Sequence, residues 1–208
     1  MHGHLTHARK KLGLQDRTFS FALPGDAAVL EGNRALLDPE LTAVGEAQAA
    51  ALAEALRPRE RQFDILVTSP LRNALQTTAR IAATQDAAEV IVTALHTDMA
   101  LPGSEDAAPC WRGALAAAEV AARYPRWDVA GIRAPRDWLH ADGGWFAPRA
   151  TEDRLADFRA FLNELPPHKD VLVVGHAAFL RQLLGADQRV GACEVVTRAL
   201  DGGTVAPG

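Results

Sequence analysis

The residue best suited to chemistry is His176, which lies within the segment DVLVVGHAAFLRQLLG at residues 170–185. The β-branched run Val171–Val174 predicts a buried strand, Gly175 ends it, and apolar residues at helical spacing predict a helix over Ala177–Leu184. This order places the imidazole at the carboxyl end of a strand, beside the N–H groups that begin a helix. Ligands bind at that edge of open α/β sheets, and helix N-termini favour anions. We therefore expect a functional histidine, with a packing or capping histidine as the alternative.

Three more histidines lie close together at the start of the chain, in the segment MHGHLTHA at residues 1–8. Taken alone, His2, His4 and His7 indicate a disordered polar start, a remnant of an affinity tag or an adventitious metal-binding tract. No cluster of Cys, His or Asp elsewhere completes the tract at metal-ligand spacing. We therefore expect no metal site.

Composition and charge favour a soluble, cytoplasmic protein. The chain has 208 residues, of which 48% are hydrophobic, enough for one α/β domain with a full core. The formal net charge is −4 and no long basic run occurs, so neither nucleic acid nor an anionic membrane is an expected partner. Cys110 and Cys193 form neither a metal-spaced pair nor a disulfide framework, which fits a reducing compartment. The start of the chain lacks an apolar leader segment, and no window approaches a membrane span.

The elements that must position these residues alternate between helix and strand. One helix is predicted over residues 41–56, with Thr42 as its N-cap. Its small-residue face comprises Val44, Ala47, Ala51 and Ala55. Further helices are predicted over residues 69–83, 113–124 and 151–165, the last capped by Thr151. Strands are predicted over residues 63–68, 89–94, 171–174 and 192–200, followed by a loose tail. This alternation favours a parallel sheet with crossover helices.

Residues 95–150 break the alternation. All four tryptophans lie in this segment together with several prolines. We predict that it is a cap inserted into a single domain of residues 1–208 and folded over one face of the sheet. Its aromatic side chains form either a small core of their own or an apolar wall against the substrate.

Three segments, taken in order, resemble the histidine phosphatase (phosphoglycerate mutase-like) superfamily. Residues 38–52, DPELTAVGEAQAAAL, are similar to its helix that begins Leu-Thr-x-x-Gly-x-x-Gln. Residues 64–78, DILVTSPLRNALQTT, resemble its strand–Ser-Pro-Leu–helix segment, and residues 170–185 resemble the segment of its second histidine. The resemblance covers most of the chain. It implies a three-layer sandwich with a mostly parallel central sheet, helices on both faces and an inserted cap.

The resemblance also implies an active site. The family's first motif, Arg-His-Gly, is matched in frame by residues 1–8, so His2 is the implied nucleophile that carries a phosphoryl group. His176, in the segment of the second histidine, is the implied oxyanion stabiliser. The implied phosphate-binding residues are Gly3, Arg72, Asn73 and Ala177. Glu105 is the nearest carboxylate to the position of the general acid. No metal or other cofactor is implied, because a cationic pocket neutralises the phosphate itself.

Two functions follow from this resemblance. The first is hydrolysis of a phosphorylated small molecule through a phosphohistidine. The second is a catalytically impaired relative that binds a phosphorylated ligand or a partner protein, since Met1, Asn73 and Leu101 stand at the expected arginine, arginine and acid positions. The strand expected before His2 is also missing, so we expect poor solubility unless residues 19–23 or the C-terminal strand fill its place.

Overall fold

The computed structural model describes residues 40–57, 62–85, 88–97, 117–132, 150–185, 195, 198–201 and 204–207. The helices are α1 (Ala43–Ala55), α2 (Arg72–Ala82), α3 (Ala117–Arg123), α4 (Ala150–Glu164) and α5 (Ala177–Leu184). The strands are β1 (Ile65–Thr68), β2 (Glu89–Val92), β3 (Val171–Val174), β4 (Arg198–Asp201) and β5 (Thr204–Pro207). Two short 3-10 helices span Ala94–His96 and Ala130–Ile132. Residues 19–23 and much of the predicted cap lie outside the described residues.

The first three strands form a parallel sheet in the order β2-β1-β3. Ile65 at the start of β1 pairs with Glu89 on one side and with Val171 on the other. Because all three strands run in the same direction and in register, their carboxyl ends meet at one edge of the sheet. The predicted parallel sheet and the three strands that form it are confirmed.

Helices cover both faces of this sheet. Side chains alternate between the faces along β1, so Leu66 lies in an apolar cluster with Leu52 of α1, on the face that α1 and α2 cover. Its neighbour Val67 lies in a second cluster with Phe158 of α4 and Phe179 of α5. A strand buried on both faces has no polar side for solvent, which explains its continuous apolar sequence. The predicted arrangement of a parallel sheet between two helical layers is confirmed.

Helix α1 begins as the sequence predicts but buries a different face. The hydroxyl of Thr42 accepts a hydrogen bond from the Gly45 N–H at 3.1 Å, so the predicted N-cap is confirmed. The predicted small-residue face is wrong, since Val44 is 53% exposed and the three alanines are exposed as well. The buried residues are Gly45, Ala49, Leu52 and Ala53. Small residues occur all round this helix, so the larger apolar area of Leu52 selects the face that packs.

Two predictions at the ends of elements are wrong. Helix α4 already includes Ala150, so Thr151 lies inside its first turn and cannot be the N-cap, which by definition precedes the helix. The tail predicted to be loose contains β5, which pairs antiparallel with β4 from Arg198 opposite Pro207 to Asp201 opposite Thr204. The two glycines of the intervening DGGT sequence are residues that tight hairpin connections favour.

The described part of the predicted cap lies along the outer edge of β2. The Asp128 N–H donates to the Val90 carbonyl and the Val92 N–H donates to the Asp128 carbonyl, both at 2.8 Å. Val120 of α3 is buried in a cluster with Leu75 and Val92. This segment therefore protects the edge of the sheet, which would otherwise expose unpaired backbone groups. Within the described ranges, no helix is both long and apolar enough to cross a bilayer.

The central strand makes a direct stability prediction. Leu66→Ala removes a side chain that is fully buried at the centre of the sheet. We expect it to lower the free energy of unfolding by about 2–5 kcal/mol, because it combines lost burial with a cavity. Val44→Ala, at an exposed helix position, is the matched control and should change that free energy by less than about 0.5 kcal/mol. Urea denaturation followed by circular dichroism measures both, and equal effects would contradict the assigned core.

Candidate active site

His176 occupies the position that the sequence predicts for it. It follows Gly175 at the end of β3 and is the N-cap residue of α5, with extended backbone angles and no hydrogen bond from its side chain to the helix. Its carbonyl accepts the N–H of Leu180 at 2.9 Å, which begins the helical hydrogen-bond pattern. Ala177 is the first residue of α5. The imidazole is fully buried, at the carboxyl edge of the sheet and beside the positive end of a helix.

Ser69 is the partner of His176 at this edge. It follows β1 directly, and its hydroxyl lies 2.9 Å from Nε2 of His176. The N–H of Leu71 also donates to this hydroxyl, at 3.3 Å. Both side chains are fully buried, although they are 107 positions apart in the chain. The pairing of β1 with β3 brings them together, because the two parallel strands end at the same level.

The residues at the start of α2 lie next to Ser69. Arg72 is the first residue of the helix and is half-buried. Asn73 is buried, and its side-chain oxygen accepts a hydrogen bond from the N–H of Ala74 at 2.8 Å. Its amide thus binds the backbone of its own helix and carries no charge. Of the predicted site residues, Arg72 and Asn73 therefore follow β1, while His176 and Ala177 follow β3. His2, Gly3 and Glu105 lie outside the described residues.

A second buried histidine, which the sequence reasoning did not select, lies beside this site. His96 ends the 3-10 helix that follows β2 and is fully buried. Its Nε2 lies 3.2 Å from the carbonyl of Val174, and its ring stacks on Phe158 with centroids 4.7 Å apart. A carbonyl only accepts hydrogen bonds, so Nε2 of His96 carries the proton and donates it. The position of His96 just beyond a predicted strand end was the available signal, since the same signal identified His176.

Arg154 is the second residue that sequence reasoning missed. Only 1% of it is exposed, which is rare for an arginine. One of its terminal nitrogens donates to the carbonyl and the hydroxyl of Thr97, at 2.6 and 2.8 Å, and its Nε lies 3.4 Å from the Leu95 carbonyl. The guanidinium carbon lies 5.6 Å from the centre of the Phe179 ring. The sequence signal was weak: Arg154 precedes the buried Phe158 by four residues and so shares its helix face.

Burial decides the charge of His96. Removal from solvent lowers the pKa of its imidazole from 6.5 to about 3, and the nearby positive charge of Arg154 acts in the same direction. The hydrogen bond to the Val174 carbonyl opposes this shift but does not overcome it. His96 is therefore neutral near pH 7, protonated on Nε2 and unprotonated on Nδ1. Within the described ranges, no group of three His, Cys, Asp or Glu side chains is arranged to hold a metal ion.

Comparisons with known proteins agree with this architecture. The family model of the histidine phosphatase superfamily, branch 1, matches residues 30–192, which is well over half of the chain. A search of curated proteins found no match.

Among solved structures, the chain is similar to an ecdysone phosphate phosphatase from Bombix mori in complex with tungstate, at 17% identity and a TM-score of 0.56. That match covers 84% of this chain and 69% of the other. A mycobacterial glucosyl-3-phosphoglycerate phosphatase is 26% identical with a TM-score of 0.42, over 71% and 69% of the two chains. A phosphoserine phosphatase from Entamoeba histolytica is 19% identical with a TM-score of 0.41, over 69% and 64%. The first of these likenesses shows a shared fold.

The buried His96 predicts a pH dependence of stability. Its pKa is lower in the folded chain than in the unfolded one, so between about pH 6.5 and pH 3 the unfolded chain binds a proton that the folded chain excludes. Stability is therefore lost as the pH falls through this window. Between pH 7 and pH 5 we expect this group to lower the free energy of unfolding by about 2 kcal/mol.

Chemical denaturation at pH 7 and at pH 5 measures the effect. His96→Gln retains an N–H donor but has no proton to gain, so it should lose about 2 kcal/mol less than the wild type over this interval. His168→Gln is the control, because His168 is exposed in the folded chain and meets the same solvent after unfolding. An identical loss in wild type and His96→Gln would contradict a buried, neutral His96.

Proposed function

The chain belongs to the histidine phosphatase superfamily, branch 1, and from this membership we propose that it hydrolyses phosphomonoesters through a phosphohistidine intermediate. The observation that carries the proposal is the position of His176. It is buried at the carboxyl edge of the parallel sheet, at the start of α5, and hydrogen-bonded to Ser69. An imidazole placed there can contact an oxyanion bound between helix N-termini.

In the proposed reaction, a ring nitrogen of His2 attacks phosphorus and the bond between phosphorus and the ester oxygen breaks. The leaving oxygen takes a proton from Glu105, the proposed general acid. Water then attacks the phosphohistidine and gives a proton to the Glu105 carboxylate. The bond between phosphorus and His2 breaks, inorganic phosphate is released, and both residues return to their starting states. His176 stabilises the charge on the non-bridging oxygens in both steps.

The remaining proposed residues bind phosphate at the same edge. Arg72 supplies positive charge from the start of α2, and the backbone N–H groups of Gly3 and Ala177 bind phosphate oxygens. Asn73 contributes through the backbone, since its side-chain oxygen already binds the N–H of Ala74. The start of α2 and the start of α5 both lie at this edge, so the dipoles of two helices favour an anion there.

The proposed substrate is a small phosphorylated molecule. One solved structure that shares this fold is named an ecdysone phosphate phosphatase. We propose a single domain over residues 1–208 in which residues 95–150 form a cap that shapes the substrate pocket. No metal takes part in the proposed mechanism. A cytoplasmic location is proposed from the low cysteine content.

A second candidate function is supported by Asn73. It stands where the resemblance implies an arginine, it is neutral, and its side-chain oxygen binds its own helix. A phosphate site that lacks a bidentate arginine loses both charge and geometry. A relative of this kind would bind a phosphorylated ligand or a partner protein without turning it over.

Turnover of an aryl phosphate by the full chain tests the first function. We expect measurable hydrolysis by the wild type, background activity for His2→Ala, and a loss of kcat of about 10²–10³ for His176→Ala, which removes a donor to the oxyanion. Release of the phenolate, followed by absorbance, measures all three. An alkaline quench during turnover should preserve a phosphoryl group on His2 for mass spectrometry.

The matched control is His168→Gln, since His168 is exposed and follows the end of α4, away from the carboxyl edge of the sheet. Equal turnover by wild type, His2→Ala and His176→Ala would exclude the proposed mechanism. Absence of turnover together with a rise in melting temperature on addition of inorganic phosphate would instead support the non-catalytic relative.

A further inference from the structure

The ends of the three parallel strands are joined by hydrogen bonds at the site. The N–H of Thr93, after β2, donates to the carbonyl of Thr68 at the end of β1, at 2.9 Å. His176, after β3, binds Ser69, after β1. These two contacts join each outer strand to the central one. A third contact is different in kind, because it joins the two outer strands across β1.

This third contact is made by His96. Strands β2 and β3 lie on opposite sides of β1 and do not pair with each other. The imidazole of His96, beyond the end of β2, nevertheless donates through Nε2 to the carbonyl of Val174, the last residue of β3, at 3.2 Å. The acceptor is only two positions before His176. We infer that His96 is a positioning residue for His176: it holds the end of β3 at the level that keeps the His176 imidazole at Ser69.

The segment that carries His96 is itself held firmly. The hydroxyl of Thr93 accepts the N–H of Leu95 at 3.3 Å, at the start of the 3-10 helix. Arg154 of α4 donates to both the carbonyl and the hydroxyl of Thr97. His96 lies between Leu95 and Thr97, the two residues that these hydrogen bonds anchor. An imidazole on a segment held at both ends can fix the position of a neighbouring strand, which a side chain on a loose loop cannot do.

Packing leaves His96 little freedom to move. Its ring stacks on Phe158 and meets the edge of Phe179, with centroids 4.7 and 6.1 Å apart. On the side of β3 it lies against Gly175, where an added Cβ would come within 2.9 Å of His96 Cδ2. This close approach explains why the residue before His176 is a glycine, because any larger residue would collide with the His96 ring. Gly175, which directly precedes His176, therefore leaves the space that the His96 ring occupies.

The charge state of His96 suits this role. A neutral ring with its proton on Nε2 is a fixed donor to one carbonyl. A charged imidazole next to the buried guanidinium of Arg154 would experience like-charge repulsion and would also lose hydration.

The inference rests on the proposed function only where activity is the measurement, because the contact between His96 and Val174 exists whether or not the chain turns over a phosphate ester.

Two substitutions of His96 by unbranched side chains of similar length separate the effect of its hydrogen bond from the effect of its packing. His96→Gln carries an N–H group that reaches approximately as far as Nε2, whereas His96→Met has the same chain length and no donor. We expect His96→Met to lower kcat for an aryl phosphate by about 10- to 100-fold with a smaller change in KM, because misplacement of a group at the reacting centre acts on the chemical step. His96→Gln should retain most of the wild-type kcat.

A measurement that does not depend on activity accompanies the kinetics. The ring ¹H–¹⁵N signals of His176, assigned with the His176→Ala variant, report its contact with Ser69. We expect these signals to shift in His96→Met and to stay near their wild-type positions in His96→Gln. If the wild type shows no turnover, the proposed function fails, and these signals alone decide the inference.

Unchanged His176 signals and equal kcat in His96→Met and His96→Gln would overturn the positioning role and leave the proposed function intact. Circular dichroism and thermal unfolding establish that each variant is folded. If His96→Met does not fold cooperatively, His96→Leu replaces it, since leucine is well suited to packing between Phe158 and Phe179 and also has no donor. The same shift of the His176 signals is then expected, and its absence counts against the inference.

Discussion

The parallel, in-register pairing of β1 with both β2 and β3 is the constraint on which the site depends. Three strands that run in one direction end at one edge, so the residues after them meet although they are far apart in the chain. Ser69 and His176 come together in this way across 107 positions, and His96 and Val174 across 78. A shift in register by one residue would turn the side chains of the shifted strand to the other face of the sheet and displace the residues that follow it.

Such an edge can be both buried and polar only when each group finds a partner. His96, His176 and Arg154 are almost completely buried, and unpaired groups of these types would cost several kcal/mol each. Here the His96 imidazole donates to a carbonyl, the His176 imidazole binds a hydroxyl, and the guanidinium binds Thr97. Two apolar clusters, one on each face of the sheet, hold these groups in place. The polar edge is thus supported by the core beneath it.

The local elements could be predicted because their causes are local. The apolar runs of β1 and β3 indicate strands. All four residues of β1 are buried, whereas buried and half-buried residues alternate along β3. Thr42 caps the helix whose start it predicts. The errors have physical causes as well. The buried face of α1 depended on which residue had an apolar partner, since small residues occur all round the helix. The strand β5 exists through pairing with β4, which its own sequence does not specify.

The sequence was enough to specify the element types, the family resemblance and the place of His176 after its strand, because strand, glycine and helix start are contiguous in the chain. For His96 and Arg154 it offered only a weak signal of position and did not specify what either residue does. The role of His96 arises from a contact between two strands that do not pair, and that of Arg154 from a loop 57 residues away. Contacts of this kind leave no periodicity or spacing to read, since they depend on how the helices pack around the sheet.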